Sequence, residues 1–202
     1  MTPPLRPSPL ALSVLGLLVI GPLHPYGIQR LLRQWGKDQV VNVGQRATLY
    51  KTIERLRQAG LIAVHQTERD HGFPERTLYQ LTGEGRRQLS QWLGDMLGAP
   101  RNEFPEFPAA LSFVMLMAPD EARDALGRRA EHLRDALARL DRELAEAGHL
   151  PRVTVLETEY LRAVTAAELA WIAGTVDELA SGALSWSHEE LAAMASAFPP
   201  DS

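Results

Sequence analysis

Apolar positions along the chain recur at three- and four-residue intervals, broken by glycine and proline. Such spacing predicts amphipathic helices. Residues 10–20 are apolar nearly all round, which predicts a buried first helix ended by Gly21-Pro22. Ahead of it, Pro3, Pro4, Pro7 and Pro9 predict a non-helical arm over 1–9. Ile28, Leu31, Leu32 and Trp35 give one apolar face to a second helix that opens at His24-Pro25-Tyr26-Gly27 and closes at Gly36. Leu49, Ile53 and Leu56 do the same for a third helix within 45–61. Gly60 ends it, because glycine reaches the left-handed conformation cheaply. Residues 61–68 and 76–81 alternate loosely about a turn holding Gly72 and Pro74, which predicts a β-hairpin. Thr82 is placed to cap a fourth helix with Leu89, Trp92, Leu93, Met96 and Leu97 on one stripe. A helix-turn-helix followed directly by a hairpin is a winged-helix plan.

The rear half is more regular. Residues 98–108 carry Pro100, Pro105 and Pro108 and read as a linker, and 109–117 are apolar on every face and expected to be buried. Pro119-Asp120-Glu121 opens a long helix with acids where the helix dipole favours them. Leu126, Ala130, Leu133, Leu137, Leu140 and Leu144 form its heptad seam, and Gly148 stops it. A second long helix is predicted from Pro151 to about 184, roughly 50 Å at 1.5 Å per residue. Val153, Leu156, Tyr160, Ala163, Ala167, Ala170 and Gly174 mark one stripe on it; Leu161, Val164, Ile172, Val176 and Leu179 mark another. Two apolar stripes need two partners, one in the chain and one from a second chain. Ser187-x-x-Glu190 is a capping box ahead of Leu191, Met194 and Phe198, so a short amphipathic helix is expected in the tail. The expected fold is mainly α: an arm (1–9), a winged-helix domain (10–97), a linker (98–108), a helical dimerisation domain (109–184) and a tail (185–202).

Charge divides along the same boundary. The net charge is −4, yet residues 1–98 hold 12 Lys and Arg against 7 Asp and Glu, while residues 99–202 hold 9 against 18. The front is therefore +5 and the rear −9, so the front can approach a polyanion. There are no cysteines, which excludes disulfides, thiolate zinc sites and thiol catalysis. The longest apolar run is shorter than a membrane span, no signal-peptide cleavage pattern follows it, and a cytoplasmic location is expected. Six scattered histidines lack ligand spacing, and neither a phosphate loop nor a nucleophile–base spacing is present. The chain is read as a non-enzyme without a metal or cofactor.

The outer face of the third helix carries Arg46, Thr48, Lys51, Thr52 and Arg55. Arg46 and Lys51 suit guanine or phosphate, Gln45 suits adenine, and Thr48 suits a thymine methyl or a phosphate. Base readers and phosphate anchors are not separable at this level. Tyr50 follows the apolar Leu49 and is assigned to the DNA side, with a core position as the alternative. Arg69, His71 and Arg76 lie at or near the hairpin tip; Arg76 can instead pair with Glu75 or Asp70. Tyr79 is assigned to the core. Leu156, Tyr160, Val164, Ala167 and Trp171 are the expected contacts between copies.

The chain resembles the PadR family of winged-helix transcriptional regulators. The likeness rests on Leu15-Gly16-Leu17-Leu18, on Gly21-Pro22-Leu23-His24-Pro25-Tyr26-Gly27, and on Ala47-Thr48-Leu49-Tyr50-Lys51-Thr52-Ile53-Glu54-Arg55-Leu56. It continues through Gly60-Leu61-Ile62 and Pro74-x-Arg76-x-x-Tyr79-x-Leu81-Thr82-x-x-Gly85. Ala47 and Arg46 depart from it, where glycine and proline are common. The resemblance implies a homodimeric repressor on a palindromic double-stranded DNA operator, relieved or modulated by a small aromatic or hydrophobic effector. It implies that Tyr50 lies at the DNA surface. Trp92 lies close to where some members hold planar ligands, although a core or interface tryptophan is the favoured reading of its stripe. A winged helix that binds protein and not DNA is the alternative function.

Overall fold

The computed structural model describes residues 7–42, 46–68, 76–101, 103–187 and 189–190. It divides into two compact units, Met1–Asn102 and Glu103–Ser202. Both are mainly helical.

In the first unit, α1 (Pro9–Leu17) starts earlier and stops earlier than expected. Ser8 caps it by accepting a hydrogen bond from the Ala11 N–H at 3.2 Å. Pro9 is not in a non-helical arm: it opens the helix, where a missing N–H costs nothing. Val19 and Ile20 fall beyond the last turn and are exposed. In α2 (Pro25–Gln34) the cap is His24, whose Nδ1 accepts from the Gly27 N–H at 2.7 Å. A short 3-10 turn, Lys37–Gln39, leads towards α3 (Arg46–Gln58). Val14, Leu15, Ile28, Leu32, Leu49 and Leu56 are fully buried together, so the apolar faces of the three helices make one core.

The hairpin consists of β1 (Ile62–Glu68) and β2 (Arg76–Leu81), antiparallel, with a register shift between Val64 and Gln66. A lone two-stranded hairpin is marginal in water. This one is anchored from outside: Leu23 exchanges both backbone hydrogen bonds with Tyr79, at 3.0 and 2.9 Å. The α1–α2 connection thus acts as a third strand at the wing base. Tyr79 packs against the core, in keeping with its sequence assignment.

Thr82 then caps α4 (Gly83–Gly98) and fastens it to the end of α3. Its hydroxyl accepts from the Gly85 N–H at 2.9 Å and lies 2.8 and 3.0 Å from the carbonyls of Gly60 and Leu61, to which it can donate. Its backbone N–H also donates to the Leu61 carbonyl, at 3.1 Å. Gly60 takes φ 71°, as a helix stop of this kind requires. On α4, Leu89 and Trp92 are buried, whereas Leu93 and Leu97 of the same expected stripe are exposed.

The second unit opens with α5 (Glu106–Leu111) and a 3-10 turn, Val114–Leu116. The helix begins inside the stretch read as linker, because Pro108 falls in its first turn and removes no needed donor. The expected burial of 109–117 is overturned: Phe113, Met115, Leu116 and Met117 are exposed. A run that is apolar but for Ser112 has little polar side to orient it, and the described residues of the unit leave it uncovered.

α6 (Pro119–Glu146) follows the predicted seam, with Leu126, Ala130 and Leu140 buried and Leu133, Leu137 and Leu144 partly so. The second long helix is shorter than expected. A 3-10 turn, Arg152–Thr154, precedes α7 (Leu156–Ser181), whose 26 residues end at Gly182 with φ 76°. α6 and α7 form a helical hairpin. Arg129 pairs with Glu168 at 2.6 Å, and Arg162 pairs with Asp141 nearer the connection. Leu126, Ala130, Ile172 and Leu179 form the core between them. After α7 the chain turns back, and the Trp186 indole donates to the Met117 carbonyl at 2.9 Å. Ser187 and Glu190 make the reciprocal bonds of the capping box. The apolar positions Leu191, Met194 and Phe198 lie outside the described residues.

Candidate nucleic-acid interface

Burying Leu49, Ile53 and Leu56 fixes which way α3 faces. At about 100° per residue, Ala47, Lys51, Glu54 and Gln58 point directly away from the core. Thr48 and Arg55 flank them on one side, and Arg46, Tyr50 and Arg57 on the other. All three candidate cations, Arg46, Lys51 and Arg55, are exposed, and their side chains make no ion pair or hydrogen bond among the described residues. Tyr50 is 54% exposed, which places it on the outer side and not in the core. Thr48 is exposed, and its carbonyl accepts from the Thr52 hydroxyl at 2.9 Å.

Two features, one on this face and one elsewhere in the unit, are not evident from the sequence. Glu54 sits in the middle of the α3 face. Its carboxylate accepts from Arg57 through two nitrogens, at 2.9 and 2.8 Å, and from Gln58 at 2.8 Å. The Arg57 hydrogen bonds, then the Gln58 one, hold the Glu54 pKa down to about 2. Arg57 is therefore occupied, while Arg46, Lys51 and Arg55 remain open to a polyanion. The signal was the i, i+3 spacing of Glu54 and Arg57. The second feature is Tyr26. It is exposed at the start of α2 and stacks on the capping His24 ring, with centroids 6.0 Å apart.

The other sequence candidates for this face stand differently. Gln45, Arg69 and His71 lie outside the described residues. Arg76 starts β2, its backbone opposite Glu68. Next to the wing base, His65 Nδ1 lies 2.9 Å from the Gln80 amide oxygen across the strands.

Residues 14–91, which include the α1–α2 core, the outward face of α3, the wing strands and the Thr82 joint, match the Transcriptional regulator PadR-like family. The chain therefore carries a PadR-like domain over these residues. Solved structures repeat the fold well beyond it. PadR of Bacillus subtilis in complex with operator DNA superposes with a TM-score of 0.71 at 20% identity, over 84% of this chain and 98% of that one. The same Bacillus protein in complex with p-coumaric acid gives 0.68 at 18% identity, over 85% and 99%. AphA, a virulence activator of Vibrio cholerae, gives 0.63 at 19% identity, over 85% and 98%. Among curated proteins nothing matches the chain.

Within the PadR-like chain, the remaining candidates fall at two places. Trp92 is 3% exposed and belongs to the core of the first unit, so its ring is not open to a ligand in the single chain. The interface candidates Leu156, Tyr160, Val164, Ala167 and Trp171 are all exposed on α7. With Ala163, Ala170 and Gly174 they make an uncharged stripe along the side of α7 opposite the buried Ile172 and Leu179. Val164, assigned by spacing to the second stripe, lies at the edge of this outer one. Among the described residues no group of three or more His, Asp or Glu is placed to hold a metal ion, and no helix is long and apolar enough to cross a membrane.

Proposed function

We propose that this PadR-like chain is a cytoplasmic, DNA-binding transcriptional regulator that acts as a homodimer on a palindromic operator. We take it to be a repressor, modulated by a small aromatic or hydrophobic effector. The observation that carries the reading is the state of the α3 cations. Three positive side chains stand exposed and uncommitted, Lys51 opposite the core and Arg46 and Arg55 on the two flanks, while Arg57 is paired with Glu54. Uncommitted surface cations in a domain whose sequence is +5 gain most from a phosphate backbone, since each contact releases counterions.

The dimer supplies the second α3 that a two-fold operator needs. Support for it comes from the α7 stripe: an exposed Tyr160 at 68% and Trp171 at 51%, with small residues between them, is a face that a second copy can cover. The Bacillus protein solved with operator DNA and with p-coumaric acid lends the analogy for both ligands. The Vibrio protein is named an activator, so the fold alone does not give the sign of regulation. A reporter fused to the target promoter reads the sign here.

The test is fluorescence anisotropy with the duplex upstream of the chain's own gene. Binding is expected to weaken steeply with salt, and Lys51→Ala or Arg46→Ala is expected to lower the log–log salt slope by about 1 each. Parent-like binding by both variants would remove α3 from the interface. A protein-binding winged helix is the second reading, favoured by the −9 of the rear half. The absence of salt-dependent binding to any duplex would leave it as the better account.

A further inference from the structure

The second unit contains a cavity of about 240 Å³ that the DNA-binding reading does not use. Its floor is Leu126 of α6 and Leu179 of α7, both buried. Val114 lines it from the 3-10 turn, and Trp171 and Thr175 from α7. The returning segment adds Trp186, held in place by its bond to the Met117 carbonyl. Trp171 and Leu184 at the margin are exposed, so the cavity opens to solvent.

The lining carries no charged side chain. Its single hydroxyl, Thr175, donates to the Trp171 carbonyl at 3.0 Å, which leaves lone pairs to accept one bond from a ligand. Arg129 lies 3.7 Å over the Phe107 ring, which in turn meets Trp171 edge-on, but the guanidinium is ion-paired to Glu168. A carboxylate buried in the cavity would shed its water and find no free cation among the described lining residues, which is unfavourable. A neutral ring meets two indoles and aliphatic carbon. A cavity of about 150 Å³ is enough for benzene, so this one admits two fused rings.

We infer that this cavity is a binding site for an uncharged, planar aromatic molecule of one or two rings with at most one hydroxyl. The inference rests on and deepens the effector reading above: it gives the effector a place within the second unit and a neutral charge. It also gives a route to assembly, because Trp171 borders the cavity and stands on the α7 stripe offered to a second copy.

The experiment is isothermal titration calorimetry on the full chain with 2-naphthol and with 2-naphthoate, which share rings and differ in charge. The expected result is binding of 2-naphthol and at least about tenfold weaker binding of 2-naphthoate, in line with the apolar lining. Thr175→Phe fills the cavity from α7, and Val114→Phe fills it from the 3-10 turn; each is expected to weaken 2-naphthol by more than about tenfold. Circular-dichroism melts identify any variant that is not folded, and the other filling variant then decides. Failure of the parent to bind 2-naphthol, equal binding of the two probes, or parent-like binding by a folded filling variant would overturn the site. No DNA is present in this titration. Loss of the site therefore leaves the operator reading untouched, and failure on operator DNA leaves the site untouched.

Discussion

Replacing Gly85 by alanine should unfold the first unit more easily, and the reason lies at one carbonyl. A Cβ built on Gly85 would stand 1.9 Å from the Leu61 carbonyl oxygen, 2.9 Å from its carbon and 2.8 Å from Leu81 Cδ1. Ordinary contact needs about 3.5 Å, so something must move by about 1.5 Å. The obstacle is backbone, and that same carbonyl accepts from the Thr82 N–H and faces the Thr82 hydroxyl. Moving it loosens the cap of α4. Overpacking costs about 1–3 kcal/mol and cap loss about 1 kcal/mol. Alanine's helix propensity returns at most about 1 kcal/mol. A net loss near 2 kcal/mol is expected, which is about 10 °C in the melting temperature of a unit this size. Gly83, two residues earlier on the same helix, has nothing within 4 Å of its added Cβ, so Gly83→Ala is the control. Urea titration followed by tryptophan fluorescence, to which the buried Trp92 contributes, reads both. Gly85→Ala matching Gly83→Ala to within about 0.5 kcal/mol, the scatter of neutral surface changes, would refute the argument.

Three further outcomes are expected. Glu54→Gln removes the one acid from the outward face of α3 and releases Arg57, so duplex affinity should rise and the salt slope should steepen by up to about 1; weaker binding in an anisotropy titration would count against the proposed face. The same variant tests the pH linkage. A carboxyl held near 2 against an ordinary 4.5 adds stability above pH 4.5 that fades as pH falls towards 2, and Glu54→Gln should lack that part of the acid limb. Tyr160→Glu puts a charge in the middle of the α7 stripe and should shift sedimentation towards monomer with the far-ultraviolet spectrum unchanged; an intact dimer would place the interface elsewhere.

Much of the first unit was legible because its elements announce themselves locally. Leu49, Ile53 and Leu56 define a face, Gly60 ends the helix, and Thr82 reads as a cap three residues before the N–H that it binds. What was not legible depended on residues far apart in sequence. Nothing in Leu23 marks it as a strand partner of Tyr79, since the pairing is made by backbone. The occupation of Arg57 by Glu54 was open to a spacing argument, but the helix dwelt upon was its cations. In the second unit apolar composition misled: residues 109–117 are apolar but for Ser112, so the pattern could not say which of them would find cover. The α7 stripes were more informative, because two phases of the same period separate one buried face from one exposed face. The break at Val155 had no warning in the sequence, which shows neither glycine nor proline between Pro151 and Gly174.

The joint at Thr82 has a consequence for how such a protein diverges. It ties the carbonyls of Gly60 and Leu61, just past the end of α3, to the first turn of α4, and Gly85 leaves no room to slide one along the other. The attitude of α3, the proposed DNA-facing helix, is thus set by residues that are not on its outward face. Exchanging Lys51, Arg55 or Thr48 changes what the helix offers and not where it points. New targets are then within reach of a few outward substitutions, with the rest of the scaffold inherited unchanged.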